Sequence, residues 1–76
     1  MSAFLDQLRS IEGLVEKSPG VFYRRSKAFV HFHEDPSGVF ADLRLNIDDP
    51  FTRLPVTTRR QRAELVATIR RTLHPG

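Results

Sequence analysis

Cysteine and tryptophan are both absent from this chain. Without cysteine the chain has neither a disulfide framework nor a thiolate nucleophile. At 76 residues it is also short, and a domain of this size buries only about 60% of the surface that its unfolded form exposes. The reinforcements left to so small a scaffold are metal binding and self-association. We therefore expect one domain, spanning residues 1–76, that forms a homodimer.

Long apolar runs are missing as well. No segment approaches the roughly 18 apolar residues that cross a bilayer, and the first six residues, MSAFLD, lack the basic-then-apolar order of a signal peptide. Hydrophobic residues make up 39% of the chain and charged residues 28%, which is typical of a folded globular protein rather than a disordered one. We expect a cytoplasmic protein with no membrane contact.

Acidic side chains are scarce in the last twenty residues, where Glu64 is the one carboxylate. The basic residues of this segment are Arg59, Arg60, Arg62, Arg70 and Arg71. Clustered cations release counterions from phosphate, so this segment indicates a nucleic-acid contact. A structural explanation stays open, because cations in the last turn of a helix complement the helix dipole.

A helix is predicted at each end of the chain. Near the start, apolar residues recur at spacings of three and four, the pattern of an amphipathic helix. They are Phe4, Leu5, Leu8, Ile11, Leu14 and Val15. Pro19 and Gly20 require this helix to end before them. Near the other end, the segment 58–61, TRRQ, has the capping-box form, and helical spacing continues to His74.

Between the helices the sequence favours β-strands. Residues 21–24 and 28–33 are rich in aromatic and β-branched side chains and are joined by a short polar link, as in a hairpin. A turn over 34–38, with proline and glycine, leads into a cleanly alternating strand at 39–46. Residues 51–56 are predicted as a fourth strand at the sheet edge, because their proline cannot donate to a ladder.

The fold class that follows from these elements is α+β. We expect a two-layer sandwich in which an antiparallel meander of three to four strands packs on an N-terminal and a C-terminal helix. The order of elements is α-β-β-β-(β)-α. No internal repeat or linker divides the chain.

The turn at 34–38 predicts a register in which Val30 lies opposite Leu43 and Phe32 opposite Ala41. The face that these residues share is expected to be buried, together with Tyr23, Ala28 and Leu45. The other face is then the predicted binding surface, and it consists of Phe22, Phe29, His31, His33, Phe40, Asp42 and Arg44. Monomers seldom expose an apolar patch of this size, so we expect it to contact a second copy of the chain or a protein partner.

The pair His31 and His33 lies on one side of one strand, with Asp42, Glu34 or Asp35 as a third donor. Such nitrogen and oxygen donors suit zinc, which makes the two histidines the candidates for a metal site. A hydrogen bond between His31 and Asp42 at an interface explains the same residues, and we expect no bound metal and no cofactor. A third interpretation is that Asp42 orients His31 as a general base. No nucleophile accompanies this pair, so no catalytic residue is predicted.

Three segments, SPGVFYRRSKAF at 18–29, HFHEDP at 31–36 and FADLR at 40–44, resemble a group of small bacterial conserved hypothetical proteins with no assigned activity. The resemblance spans roughly residues 18–73 and implies no mechanism. In the order of strands followed by a terminal helix, the chain is also similar to YjbR/MmcQ-like α+β domains, although it is shorter and lacks their tryptophan-containing C-terminal stretch. That likeness implies a DNA-binding role.

The best functional hypothesis from the sequence is a non-catalytic interaction module that self-associates or binds a partner through the aromatic and histidine face. The alternative is a nucleic-acid-binding protein that uses the arginine-rich last helix.

Overall fold

The computed structural model describes residues 2–75, so Met1 and Gly76 lie outside the described chain. In this described part of the chain, two helices flank five strands. The elements are α1 (Ser2–Arg9), β1 (Val15–Ser18), β2 (Val21–Arg24), β3 (Lys27–Asp35), β4 (Gly38–Leu43), β5 (Thr52–Pro55) and α2 (Arg59–Leu73). The α+β class, with a helix at each end of an antiparallel sheet, is confirmed. Within residues 2–75, neither helix has the length and apolar content needed to span a membrane.

The sheet is a meander in which each strand pairs with the next along the chain, in the order β1-β2-β3-β4-β5. The β3–β4 register has the predicted pairs, with Val30 opposite Leu43 and His31 opposite Asp42. The strand that contains Pro55 pairs only with β4, so its predicted place at the edge is confirmed. The described residues therefore form a sheet of five strands, one more than the upper limit of the predicted three to four.

The additional strand is β1, which occupies a region predicted as helix. The first helix ends at Arg9, and Gly13 has a φ of 102°, a value that a helix does not allow. Ile11 and Leu14 are still buried, but turns rather than helix bring them to the core. The spacing of three and four thus continued past the true end of the helix.

Glu16 joins α1 to the edge of the sheet. Its carboxylate accepts hydrogen bonds from the guanidinium of Arg9 and, at 2.9 Å, from the backbone N–H of Gly20. Both interactions favour the charged form, so the pKa of Glu16 lies below its usual value, with the Arg9 contact as the largest cause. This contact holds the short polar strand β1 in place.

Both predicted hairpin turns are present. Arg25 and Ser26 have φ values of 51° and 69°, the pattern of a two-residue type I′ turn. At the second turn, the carboxylate of Asp35 accepts from the backbone N–H of Ser37 at 2.8 Å and from its hydroxyl at 2.6 Å. These bonds lower the pKa of Asp35, and they orient the chain for its return along β4.

A β-bulge in β3 decides which side chains face the helices. Phe22 pairs with Val30, but the next residue of β2, Tyr23, pairs with Ala28, so Phe29 is the extra residue. The exposed fractions of Phe22, Phe29 and Val30 are 0%, 3% and 0%. The predictions that placed Phe22 and Phe29 on the outer face, and Tyr23 and Ala28 on the inner one, are therefore wrong.

β4 is shorter than the strand predicted at residues 39–46, since it ends at Leu43. The backbone N–H of Arg44 still bonds to the carbonyl of Phe29 at 2.9 Å, but the chain then leaves the sheet. Leu45 consequently stands outside the ladder and is 40% exposed, so its predicted burial is wrong.

The last helix begins with the predicted capping box. The hydroxyl oxygen of Thr58 accepts from the backbone N–H of Gln61 at 3.1 Å, and the Gln61 side chain accepts from the Thr58 N–H at 3.0 Å. At the other end, the ring of His74 donates to the carbonyl of Glu12 at 2.7 Å. These contacts fix both ends of α2 against the rest of the domain.

One core lies between the helices and one side of the sheet. Its buried side chains come from α1, the following turns, β2, β3, β4, the link between β5 and α2, and α2 itself, and they form one continuous cluster. They are Phe4, Leu8, Ile11, Leu14, Phe22, Phe29, Val30, Ala41, Leu43, Val56, Leu65, Val66 and Ile69. Because both helices contribute to this one cluster, they cover the same side of the sheet.

Candidate functional site

The other side of the sheet is covered by neither helix, and we call it the open face. The register of the five strands assigns its members as Val15, Val21, Tyr23, His31, His33, Phe40, Asp42 and Arg53. Of the predicted surface residues, His31, His33, Phe40 and Asp42 therefore share this face, whereas Phe22 and Phe29 do not.

A polar cluster occupies the centre of the open face. His33 Nε2 lies 2.8 Å from Asp42 Oδ2, and His31 Nε2 lies 3.8 Å from the same oxygen. The two imidazole rings meet edge to face, with their centroids 4.8 Å apart. Arg53 approaches Asp42 from the neighbouring strand and donates to both of its oxygens, at 2.9 and 3.0 Å. The direct partner of Asp42 is thus His33 rather than the predicted His31.

The charge of this cluster is set by Asp42, whose side chain is 15% exposed. The hydrogen bonds from Arg53 and then from His33 outweigh the cost of burial and lower the pKa of Asp42 to about 2. An ionised carboxylate only accepts hydrogen bonds, so His33 donates its Nε2–H to Asp42. At neutral pH the centre of the face therefore contains a carboxylate balanced by a guanidinium, with two imidazoles beside it.

Phe51 extends the cluster along the face, although sequence reasoning did not assign it there. Its ring lies 5.2 Å from that of His31, and the guanidinium carbon of Arg44 lies 4.5 Å above its centroid. Arg44 also donates to the carbonyl of Ala28 at 2.8 Å. Phe51 is 38% exposed. The one signal in the sequence is an aromatic residue directly after the Asp-Asp-Pro turn.

The predicted arginines of α2 divide into two groups. Arg59, Arg62 and Arg70 line a groove of about 710 Å³ between α1 and α2, and none of its lining residues is acidic. Arg62 is anchored there, because it donates to the carbonyl of Val56 at 2.8 Å and lies 5.5 Å from the ring of Phe4.

The remaining two arginines are not part of this groove. Arg60 lies 3.9 Å from Glu64 in an exposed pair, and Arg71 donates to the hydroxyl of Thr68 at 3.3 Å. Both are exposed. Of the five predicted arginines, three therefore line the groove and two do not.

A second basic cavity, of about 380 Å³, lies where the first hairpin meets the loop after β4. Its cationic lining residues are Arg24, Arg25, Lys27 and Arg44, and no lining residue is acidic. Ala28, Phe29 and Ile47 add apolar surface. This cavity depends on the bulge and on the path of the loop, which no local sequence pattern indicates.

Ser26 and Ser37 lie in the two hairpin turns where the sequence predicted them, and the Ser37 hydroxyl donates to Asp35. The chemical capacities of the open-face cluster are those of imidazole, carboxylate and guanidinium: to exchange hydrogen bonds with a partner or to donate electron pairs to a cation.

No family model, curated protein or solved structure matches the chain.

Proposed function

We propose that the protein is a non-catalytic binding module that pairs with a second copy of itself through the open face. The observation that carries this proposal is the one-sided packing of the sheet. Both helices cover the same side, and His31, His33 and Phe40 are only half-buried on the other. Aromatic surface of this kind is stabilised when a partner removes it from water.

The edges of the sheet support a contact through the face rather than edge to edge. The two edge strands, β1 and β5, have four residues each. β1 is irregular between Glu16 and Ser18, and β5 contains Pro55. Short, bulged and proline-containing edges oppose strand addition, so the face is the surface left for association.

The charges of the open face are compatible with a twofold contact. At its centre, Asp42 and Arg53 neutralise each other. The remaining cations lie toward its margins, with Lys17 6.0 Å from the Tyr23 ring and Arg44 against Phe51. Val15, at 56% exposure, supplies apolar surface at the β1 edge. Two copies can therefore approach without stacking like charges at the middle of the interface.

The size of the face predicts a weak dimer. The sheet has five strands, which at about 4.8 Å between strands and about 3.3 Å per residue present roughly 400 Å². A stable interface buries about 800 Å² per partner. We therefore expect a dissociation constant in the micromolar range or above.

Sedimentation equilibrium and light scattering from micromolar to millimolar concentration test this proposal. The wild-type chain should pass from monomer to dimer, and Phe51→Glu and Val15→Glu should shift that transition to higher concentration. Ile47→Glu is the matched control. Ile47 is also an exposed apolar residue, at 48%, but it lines the basic cavity at the first hairpin rather than the open face. A wild-type monomer at every concentration, or an equal effect of Ile47→Glu, would overturn the proposal.

Nucleic-acid binding is a second candidate, favoured by the groove that brings Arg59, Arg62 and Arg70 together with no acidic lining residue. Such a groove suits a phosphate backbone, and its affinity should fall steeply with salt. In this candidate the five arginines do not act as one surface.

Fluorescence anisotropy with labelled single- and double-stranded DNA, at about 50 and 200 mM salt, tests the groove. Arg59→Ala/Arg70→Ala should weaken binding several-fold more than Arg60→Ala/Arg71→Ala, which removes the same charge outside the groove. No binding at low salt would exclude this candidate. So would equal losses in the two variants, or a larger loss in Arg24→Ala/Arg25→Ala, which would point to the hairpin cavity instead.

A further inference from the structure

The polar cluster of the open face contains three side chains of the types that bind transition metals. One ligand atom from each of His31, His33 and Asp42 lies within 4.8 Å of the others. The two histidines come from alternate positions of β3, and Asp42 lies on β4 directly opposite His31. We propose that these three residues bind one zinc ion per chain, with a fourth position open to water or to a ligand.

The distances are close to those that a zinc ion requires. Histidine nitrogens and carboxylate oxygens bind zinc at about 2.0–2.2 Å, which in a tetrahedral site places two donor atoms about 3.4 Å apart. The distances from Asp42 Oδ2 to the two Nε2 atoms, 2.8 Å for His33 and 3.8 Å for His31, bracket that value. The three donor atoms lie within 4.8 Å of one another, so side-chain rotations must bring the farther pairs closer together when zinc binds.

Arg53 determines which oxygen of Asp42 is used. Its Nε donates to Oδ1 at 2.9 Å, whereas both histidines approach Oδ2. A zinc ion on Oδ2 displaces the terminal nitrogen of Arg53, at 3.0 Å, and replaces the His33 hydrogen bond to the same oxygen; His33 then carries its proton on Nδ1, which leaves the Nε2 lone pair for the metal. The bond to Oδ1 then orients the carboxylate, as outer partners of metal ligands do.

The donor set selects the class of metal. Two imidazoles and one carboxylate suit zinc, nickel and copper, whereas calcium and magnesium prefer sites built from oxygen. Three protein ligands leave one position of a tetrahedral ion open. The side chains are 30%, 41% and 15% exposed for His31, His33 and Asp42, so an ion can reach them from solvent.

Isothermal titration calorimetry of the untagged chain with zinc chloride tests the site. We expect one zinc ion per chain and no heat from calcium chloride. His31→Ala, His33→Ala and Asp42→Asn should each weaken binding by about tenfold or more. His74→Ala is the matched control, because His74 caps α2 against Glu12 and lies outside the cluster. The affinity of His74→Ala for zinc should equal that of the wild type.

Histidine NMR signals of the wild-type chain provide a measurement that needs no variant. Zinc should shift the ring signals of His31 and His33 and leave those of His74 in place. No binding at micromolar zinc, a shift confined to His74, or wild-type affinity in all three cluster variants would overturn the inference.

The metal site does not depend on self-association, and the same titration on Val15→Glu, whose substitution lies on the β1 edge and outside the cluster, separates the two. Zinc binding by Val15→Glu at concentrations where it is monomeric supports the site, whereas a wild-type chain that binds zinc but stays monomeric at every concentration supports the site and counts against the dimer. A dimer that forms without binding zinc leaves the proposed function standing and removes the metal.

Discussion

Arg53 and Asp42 lie opposite each other on β5 and β4, and two hydrogen bonds join the guanidinium to both oxygens of the carboxylate. This contact is the largest cause of the lowered pKa of Asp42, which is about 2. The Arg53 side chain is 58% exposed, so solvent screens the pair and limits its contribution to stability.

Asp42→Asn should therefore destabilise the fold in a pH-dependent way. The carboxyl group has a lower pKa in the folded chain than its value of about 3.9 in an unfolded one, so it stabilises the fold above that range. This stabilisation is lost as the pH falls from about 5 toward 2. In urea unfolding, wild type and Asp42→Asn should differ by about 1 kcal/mol at neutral pH and converge in acid. Asp48→Asn, in the exposed loop after β4, should change little, and a difference for Asp42→Asn that is independent of pH would contradict this explanation.

Gly38, in the second hairpin, should tolerate substitution by alanine less well than Gly20. Its φ is 142°, and a Cβ atom there would lie 2.4 Å from Thr57 Oγ1. Thr57 cannot move freely, because that oxygen accepts from the Val39 N–H at 3.0 Å. Gly38→Ala should cost about 2–3 kcal/mol, since backbone strain and a clash act together.

Gly20→Ala is the control for Gly38→Ala in urea unfolding. Gly20 also has a positive φ, 75°, but its nearest neighbour to a new Cβ is Phe32 Cβ at 3.9 Å, an ordinary contact. Gly20→Ala should therefore lose only about 1 kcal/mol of stability, from backbone strain alone. Equal losses for the two variants would show that the Thr57 contact contributes nothing.

The parts of the fold that the sequence predicted are those specified by neighbouring residues. Alternation on β3 and β4, with a short turn between them, determined their register. The capping box of α2 needs only Thr58 and Gln61. The bulge at Phe29 was not predictable in this way, because it depends on how two strands twist past each other. The strand β1 was hidden because its Glu16 and Lys17 carry no apolar alternation.

The part of the candidate site that the sequence predicted is likewise the part specified by neighbouring residues. His31, His33 and Asp42 come from the locally determined β3–β4 pair, and sequence reasoning placed them together. Arg53 and Phe51 follow the irregular loop between β4 and β5, whose path sets the register of β5. A shift of one residue there would turn Arg53 to the helix side, so its pairing with Asp42 required the structure.

Ser26→Gly should stabilise the first hairpin. Ser26 has a φ of 69° in a type I′ turn, a conformation that costs about 1 kcal/mol for most residues and almost nothing for glycine. Glycine makes the unfolded chain more flexible, which offsets part of the gain, so we expect about 0.5 kcal/mol in thermal unfolding. Ser37→Gly, in the other hairpin, should instead destabilise, because Ser37 Oγ donates to Asp35. Destabilisation by Ser26→Gly would contradict the turn assignment.

Thr58→Ala should destabilise the last helix, because it removes the acceptor for the Gln61 N–H at the first turn. The loss of such a cap costs about 1 kcal/mol. Thr58→Ser keeps the oxygen and should recover most of that stability. Thr72→Ala is a control within the same helix, since among residues 2–75 the Thr72 hydroxyl donates only to the carbonyl of Thr68, four residues earlier, and alanine favours helix. In urea unfolding, Thr72→Ala should therefore be neutral within about 0.5 kcal/mol. Equal losses in Thr58→Ala and Thr72→Ala would mean that the capping box does not stabilise this helix.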